Sequence, residues 1–160
     1  MASTGIDNVE AYMEEAIALA KSAKSHGNHP FGALLVLDGE VVLTAENTVN
    51  TGKNFTHHAE MNLMNKVAAS SLTAEQKARS VLVTSTEPCA MCSGAIFWGG
   101  VKNVVYGCPA DFLGEVAGDD FLMPCRTLFA LAKSSPVRVE GPVLAEQAKE
   151  VHIGFWDQMH

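Results

Sequence analysis

Apolar residues recur at Val9, Met13, Ala16, Ile17 and Ala20, the three-and-four spacing of a single helical face. The pattern predicts a helix over residues 7–25, with Asp7 or Asn8 as its N-cap. The period then changes. "HPFGALLVLDGEVVLTAEN" reads as a hairpin with strands at 31–37 and 40–46, because Asp38-Gly39 is a strong two-residue turn pair. Thr56 is placed to cap a helix running to Ser70. "SVLVTS" at 80–85 is a short β-branched run of the kind buried on both faces of a sheet. Pro88 suits the first turn of a helix that Gly99-Gly100 ends, and "VKNVVYG" at 101–107 reads as the next strand. Loop and short helix follow over 109–125, then a helix at 126–133, a strand at 136–140 and a closing helix over 143–157.

The predicted order is α β β α β α β α β α. A hairpin followed by strand–helix alternation implies a mixed sheet with helices on both faces. The expected fold class is α/β, a three-layer α/β/α sandwich of about five strands. No repeat, low-complexity tract or linker divides the sequence, so residues 1–160 read as one domain.

Composition narrows the partners. The chain has 160 residues, 48% of them hydrophobic, enough to bury a core without disulfide staples. Its 11 Lys+Arg against 18 Asp+Glu give a net charge of −7, which lowers the prospect of a nucleic-acid partner. The opening "MASTGIDNVE" shows no signal-peptide pattern. Apolar stretches such as "ALLVL" at 33–37 fall far short of the roughly 20 residues of a membrane helix. Four cysteines without an export signal point to reduced thiols or metal ligands, and to the cytoplasm as the expected compartment.

Two of those cysteines lie in "TSTEPCAMCSGAIFWGG" at 84–100. Cys89 and Cys92, at i and i+3, share one face of a helix's first turn, where the positive helix end favours thiolates. Taken alone, C-x-x-C also fits a structural zinc pair or a redox pair, although the preceding hairpin and helix are not the usual redox setting. A second stretch, "FTHHAEMNLM" at 55–64, bears on the choice. His58 at the first turn of a helix can reach an ion off the helix end, making three ligands with the two cysteines. Glu60 is then left over. A carboxylate beside a zinc-bound water is what a proton shuttle requires. Cys108 or Cys125 as a fourth ligand would instead close the site into a structural one, and would leave Glu60 without a role.

H-x-E followed by P-C-x-x-C is the signature of zinc deaminases. Here it is complete as His58, Glu60, Pro88, Cys89 and Cys92, with residues 61–87 between its halves. With "HPFGALLV", "AEN" at 45–47 and "EPCAMCSGAIFWGGVKNVVYG", the chain resembles the cytidine deaminase superfamily nearly end to end. The likeness is greatest to the branch holding bacterial guanine deaminases, yeast-type cytosine deaminases and tRNA adenosine deaminases. The resemblance implies the five-stranded sandwich, one zinc per chain held by His58, Cys89 and Cys92, Glu60 as the catalytic residue, and a homodimer. It further implies that Asn47 bonds an exocyclic group of the base and that Phe31 and Trp98 wall in the ring. The Ala59 amide would contact the ring edge, and Asp120 would recognise a purine. Four of these residues also have a plain reading: Phe31 and Trp98 as core, Asn47 as a turn, Asp120 as a helix cap.

The expected activity is zinc-dependent hydrolytic deamination of a free nucleobase, with guanine or a related purine favoured and cytosine or a triazine behind it. A tRNA adenosine deaminase would share the catalytic residues, and a non-enzymatic zinc module would need a fourth protein ligand. The tail "GFWDQMH" departs from the guanine deaminase pattern; its Trp156 and Asp157 loosely resemble the tail of yeast-type cytosine deaminases.

Overall fold

The computed structural model describes residues 4–159. Five strands form one sheet in the order β2-β1-β3-β4-β5. The hairpin strands are β1 (Gly32–Leu37) and β2 (Glu40–Glu46), followed by β3 (Val81–Thr86), β4 (Asn103–Cys108) and the short β5 (Arg138–Glu140). β1 runs antiparallel to both β2 and β3, while β3, β4 and β5 are mutually parallel. The hairpin turns at Asp38 and Gly39, whose φ values of 52° and 80° give the mirror-image turn that matches strand twist.

Alternation along the strands builds two cores. Ala33, Leu35, Leu82, Val104 and Tyr106 face one side, where they meet α2 (Ala59–Ala69), α4 (Ala90–Trp98) and α6 (Cys125–Phe129). Leu34, Val36, Val83 and Val105 face the other, against α1 (Val9–Ser25) and α7 (Ala145–Glu150). The three-layer α/β/α sandwich is therefore the observed fold. Every residue of β1, β3 and β4 is buried, as expected of central strands covered on both faces.

Several predicted boundaries change. Asn8 does sit at the cap of α1, but at a φ of 57° and without a side-chain cap bond. Thr56 does not cap α2: its hydroxyl donates to Asn54 Oδ1 at 2.7 Å, and the helix begins at Ala59 with His58 in the cap position. Pro88 lies before α4, whose cap is Cys89. A helix absent from the prediction, α3 (Ala74–Arg79), opens with a capping box between Thr73 and Gln76. α5 (Ala110–Ala117) is the short helix expected within 109–125. α6 ends at Phe129, its last buried residue, and Leu131 beyond it is 74% exposed. Pro136 has no N–H to offer a ladder, and β5 starts at Arg138, where the amide donates to Lys102 O. The closing helix over 143–157 is instead α7, a run of turns and a 3-10 turn at Trp156–Met159. Gly154, at a φ of 79°, breaks the right-handed path.

Candidate active site

The site lies at the carboxyl edge of the sheet, where β3 delivers its chain into α4. Pro88 leads into Cys89 at the helix cap, and Cys92 follows at the third helical residue. From the other side, the β2–α2 connection brings His58 to the start of α2. That connection is tied down by the Asn62 amide, which donates to Glu46 O at 2.8 Å and to Thr48 Oγ1 at 2.9 Å. Two helix N-termini thus converge.

His58 Nδ1 lies 3.6 Å from Cys89 Sγ and 3.7 Å from Cys92 Sγ, and the three donor atoms all fall within 4.8 Å of one another. Tetrahedral zinc with Zn–S of about 2.3 Å and Zn–N of about 2.05 Å sets an N···S separation of ~3.6 Å. The residues fit the metal. Among the described residues, no fourth histidine, cysteine or carboxylate joins this group. Cys108 and Cys125 are buried and stand outside this donor group, and burial pushes the Cys108 thiol up to about 12 and raises the Cys125 thiol strongly as well.

Electrostatics around the donors favour a cation. A hydrogen bond from the Cys92 thiol, helped by His58, holds Cys89 down at about 4 against its burial. His58 is raised chiefly by its bond to Cys89, and Cys92 is driven up by its bond to Cys89 and by burial. Glu60 stands in the first turn of α2, only 4% exposed. Burial, then the Cys89 charge, pushes its carboxyl up to about 7. It faces the same cavity as His58 and Cys89 without belonging to the donor group.

That cavity holds about 500 Å³. Asn47 lines it, buried, with its Oδ1 accepting from Val49 N at 3.0 Å. This bond orients the amide, so Asn47 both forms a turn and lines the cavity. Phe31 forms part of the wall. Ala59, fully buried, is the first residue of α2, where amides lack intrahelical partners.

Two expectations fail. Trp98 does not wall the cavity: it is 84% exposed and lines a separate groove with Phe97, Leu128 and Leu131. At the end of α4, its side chain has rotated past the face that carries Cys92. Asp119 and Asp120 are both exposed, and Asp119, not Asp120, lines the cavity. Asp119 accepts from Phe121 N at 2.9 Å, a turn that holds its carboxylate at the rim of the cavity.

Other cavity residues were not foreseen as a group. Trp156 arrives from the tail and His29 from the segment before β1, their rings edge-to-face with centroids 5.2 Å apart. Burial and the nearby His58 lower His29. Glu87, next to Pro88, is buried and holds two helix starts at once. Its Oε1 accepts from Ala110 N at 2.9 Å and its Oε2 from Cys125 N at 2.7 Å. Between those two helices runs the roof segment bearing Phe121, Leu122 and Met123 over the cavity. The only sequence sign of this role is Glu87's place in "TEPC"; nothing local marks His29.

Fold and donor set together define the class: a zinc-type deaminase domain. The chain belongs to the cytidine and deoxycytidylate deaminase family, whose zinc-binding region matches residues 6–108. It is 35% identical over 164 aligned residues to a protein named "Probable cytosine deaminase" in Schizosaccharomyces pombe, with 98% of each chain covered. It is 38% identical to a guanine deaminase of Bacillus subtilis, with 71% of this chain and 72% of that one covered. A tRNA-specific adenosine deaminase of the same bacterium is 39% identical, with 61% and 60% covered. Among solved structures, guanine deaminase from Bacillus subtilis matches at a TM-score of 0.63 and 35% identity, covering 71% of this chain and 72% of that one. Relatives of these kinds imply an enzyme acting on C–N bonds. Among the described residues, no helix is long and apolar enough to cross a membrane.

Proposed function

We propose that the chain is a hydrolytic deaminase of a free nucleobase, with Glu60 as its catalytic residue. The supporting observation is the shared cavity: the His58–Cys89–Cys92 donor set and a buried, non-ligand carboxylate face one space lined by an oriented amide and aromatic rings. Zinc held by the three donors supplies a Lewis acid that makes water a competent nucleophile near neutral pH.

Glu60 takes the proton from the attacking water and delivers protons to the ring nitrogen and the departing amine. Asn47 donates from Nδ2 to a carbonyl of the base, its rotamer held by the Val49 bond. The Ala59 amide meets the ring edge, and Phe31, His29 and Trp156 enclose the ring and displace water. Guanine remains the leading substrate, because a carboxylate in the roof, Asp119, can accept ring N–H groups. Cytosine is the second reading. It is favoured by the relative that matches over 98% of both chains and by the placement of Trp156 in the cavity. The net charge of −7 speaks against a tRNA substrate. A second copy of the chain would pack on the apolar groove around Trp98, giving a homodimer.

Ammonia release from guanine, cytosine, adenine, cytidine and an anticodon stem-loop tests the reading. Glu60→Gln should keep zinc and substrate binding while losing about 10²–10⁴ in rate. Near-normal turnover in that variant would falsify the assignment of Glu60.

A further inference from the structure

The tail of the chain contributes one aromatic wall to the cavity, and beneath that wall lies a histidine that the catalytic scheme does not use. His152 is fully buried. Trp156 Nε1 lies 3.1 Å from its Nδ1, and Thr86 Oγ1 lies 2.8 Å from its Nε2. An indole N–H can only donate, so Nδ1 is the acceptor and the proton of the neutral ring sits on Nε2, donated to Thr86. One tautomer of the uncharged ring satisfies both bonds. Burial, which pulls His152 down to about 4, keeps that uncharged form in place.

The two ends of this chain of bonds are both informative. Thr86 is the last residue of β3, three positions before Cys89, on the strand that leads directly into the metal-binding turn. The Trp156 ring lies within 18° of the imidazole plane, edge to edge across the Nε1–Nδ1 bond, and meets Phe31 and His29 with ring centroids 6.1 and 5.2 Å away. Phe31 also packs on His152, at 5.2 Å. A buried imidazole thus ties the tail to the strand and fixes the angle of the indole. The neighbouring Asp157 is exposed, and among the described residues of the tail Trp156 lines the cavity.

We infer that His152 is a positioning residue: it latches the Trp156 indole to the end of β3, so the aromatic wall of the substrate cavity is set by a buried hydrogen-bond chain. This inference rests on the free-base reading for its kinetic consequence, but the latch itself is open to a test without substrate.

The test uses zinc-loaded, full-length protein carrying Trp98→Phe, which leaves Trp156 as the sole tryptophan and alters a residue outside the cavity. His152→Asn keeps an acceptor oxygen near the Nδ1 position, whereas His152→Leu fills the space and can accept nothing. Acrylamide quenching of Trp156 fluorescence should stay near that of the parent in the Asn variant and rise at least about twofold in the Leu variant. With guanine and cytosine as substrates, the Leu variant should raise KM about tenfold with kcat within about threefold, and the Asn variant should stay within about threefold in both. Unchanged quenching and KM in a folded Leu variant would overturn the latch, as would an Asn variant impaired as much as the Leu one. Should the Leu variant fail to fold, His152→Gln takes its place, since its amide reaches toward Thr86 and leaves no acceptor at the Nδ1 position: raised quenching supports the latch, and quenching like the parent overturns it. If the protein with its native Trp98 releases ammonia from neither base, the free-base reading fails, while the quenching comparison still decides the latch.

Discussion

Glu87→Gln isolates a single carboxylate on which two helices begin. In the native chain each oxygen takes one amide, from Ala110 at 2.9 Å and from Cys125 at 2.7 Å, in a setting only 8% exposed. Glutamine keeps one carbonyl oxygen but turns an NH₂ toward the other amide, setting donor against donor. The lost bond to a charged acceptor is worth about 1.5–3 kcal/mol, and the stranded buried N–H costs about 1–3 kcal/mol more. Local relaxation of a short helix start recovers part of this, so a net loss of about 3 kcal/mol is expected. Urea unfolding of the zinc-loaded protein, followed by far-UV circular dichroism, measures it. Because α5 and α6 flank the roof, the same variant should raise KM for a base substrate severalfold with zinc content unchanged. A loss below about 1 kcal/mol would refute the double cap, and so would an unchanged KM in a variant destabilised as expected.

Cys89→Ser should lose zinc and activity together, while Cys108→Ser and Cys125→Ser keep one metal per chain; atomic absorption on the purified variants checks this. Asp120→Ala should leave kcat/KM for guanine within about threefold, whereas Asp119→Ala should lower it about tenfold or more; steady-state ammonia release distinguishes them. His152 carries a signed pH prediction. Its folded value of about 4 lies below the roughly 6.5 of an unfolded histidine, so the unfolded chain binds the proton first as pH falls. Stability from this group is complete above pH ~6.5 and declines toward pH ~4, by on the order of 3 kcal/mol. His152→Asn should flatten that part of the stability–pH curve, measured as the difference between urea titrations of the two proteins.

Much of this molecule could be read along the chain, because the forces concerned were local. The Met13–Ala20 spacing, the Asp38-Gly39 turn and the β-branched run at 80–85 each specify an element within a few residues. The zinc donors were legible for the same reason, since each half of the motif opens one helix. The capping box at Thr73 and Gln76 is equally local, but the short helix it opens buries no residue and so carries no apolar period along the chain. Other features depend on distant partners. Trp98 and Trp156 look alike in sequence, yet one faces a groove outside the site and the other lines the cavity, which only the path of the tail decides. The reversal of Asp119 and Asp120 turns on one side-chain bond to Phe121 N. The role of Glu87 requires α5 and α6 to arrive from residues 23 and 38 positions further on.

β3 is the middle strand of five, paired antiparallel to β1 on one side and parallel to β4 on the other, with all six residues buried. Amides so placed exchange with deuterium only when the whole domain opens, whereas the roof over 118–124, with an exposed backbone between two short helices, can open by itself. The strand that leads into the Cys89 turn therefore keeps the slowest clock in the molecule, and the mouth of the cavity keeps one of the fastest. Substrate and product can come and go through many local openings during the lifetime of a single folded state, without loosening the ligand set that each turnover depends on.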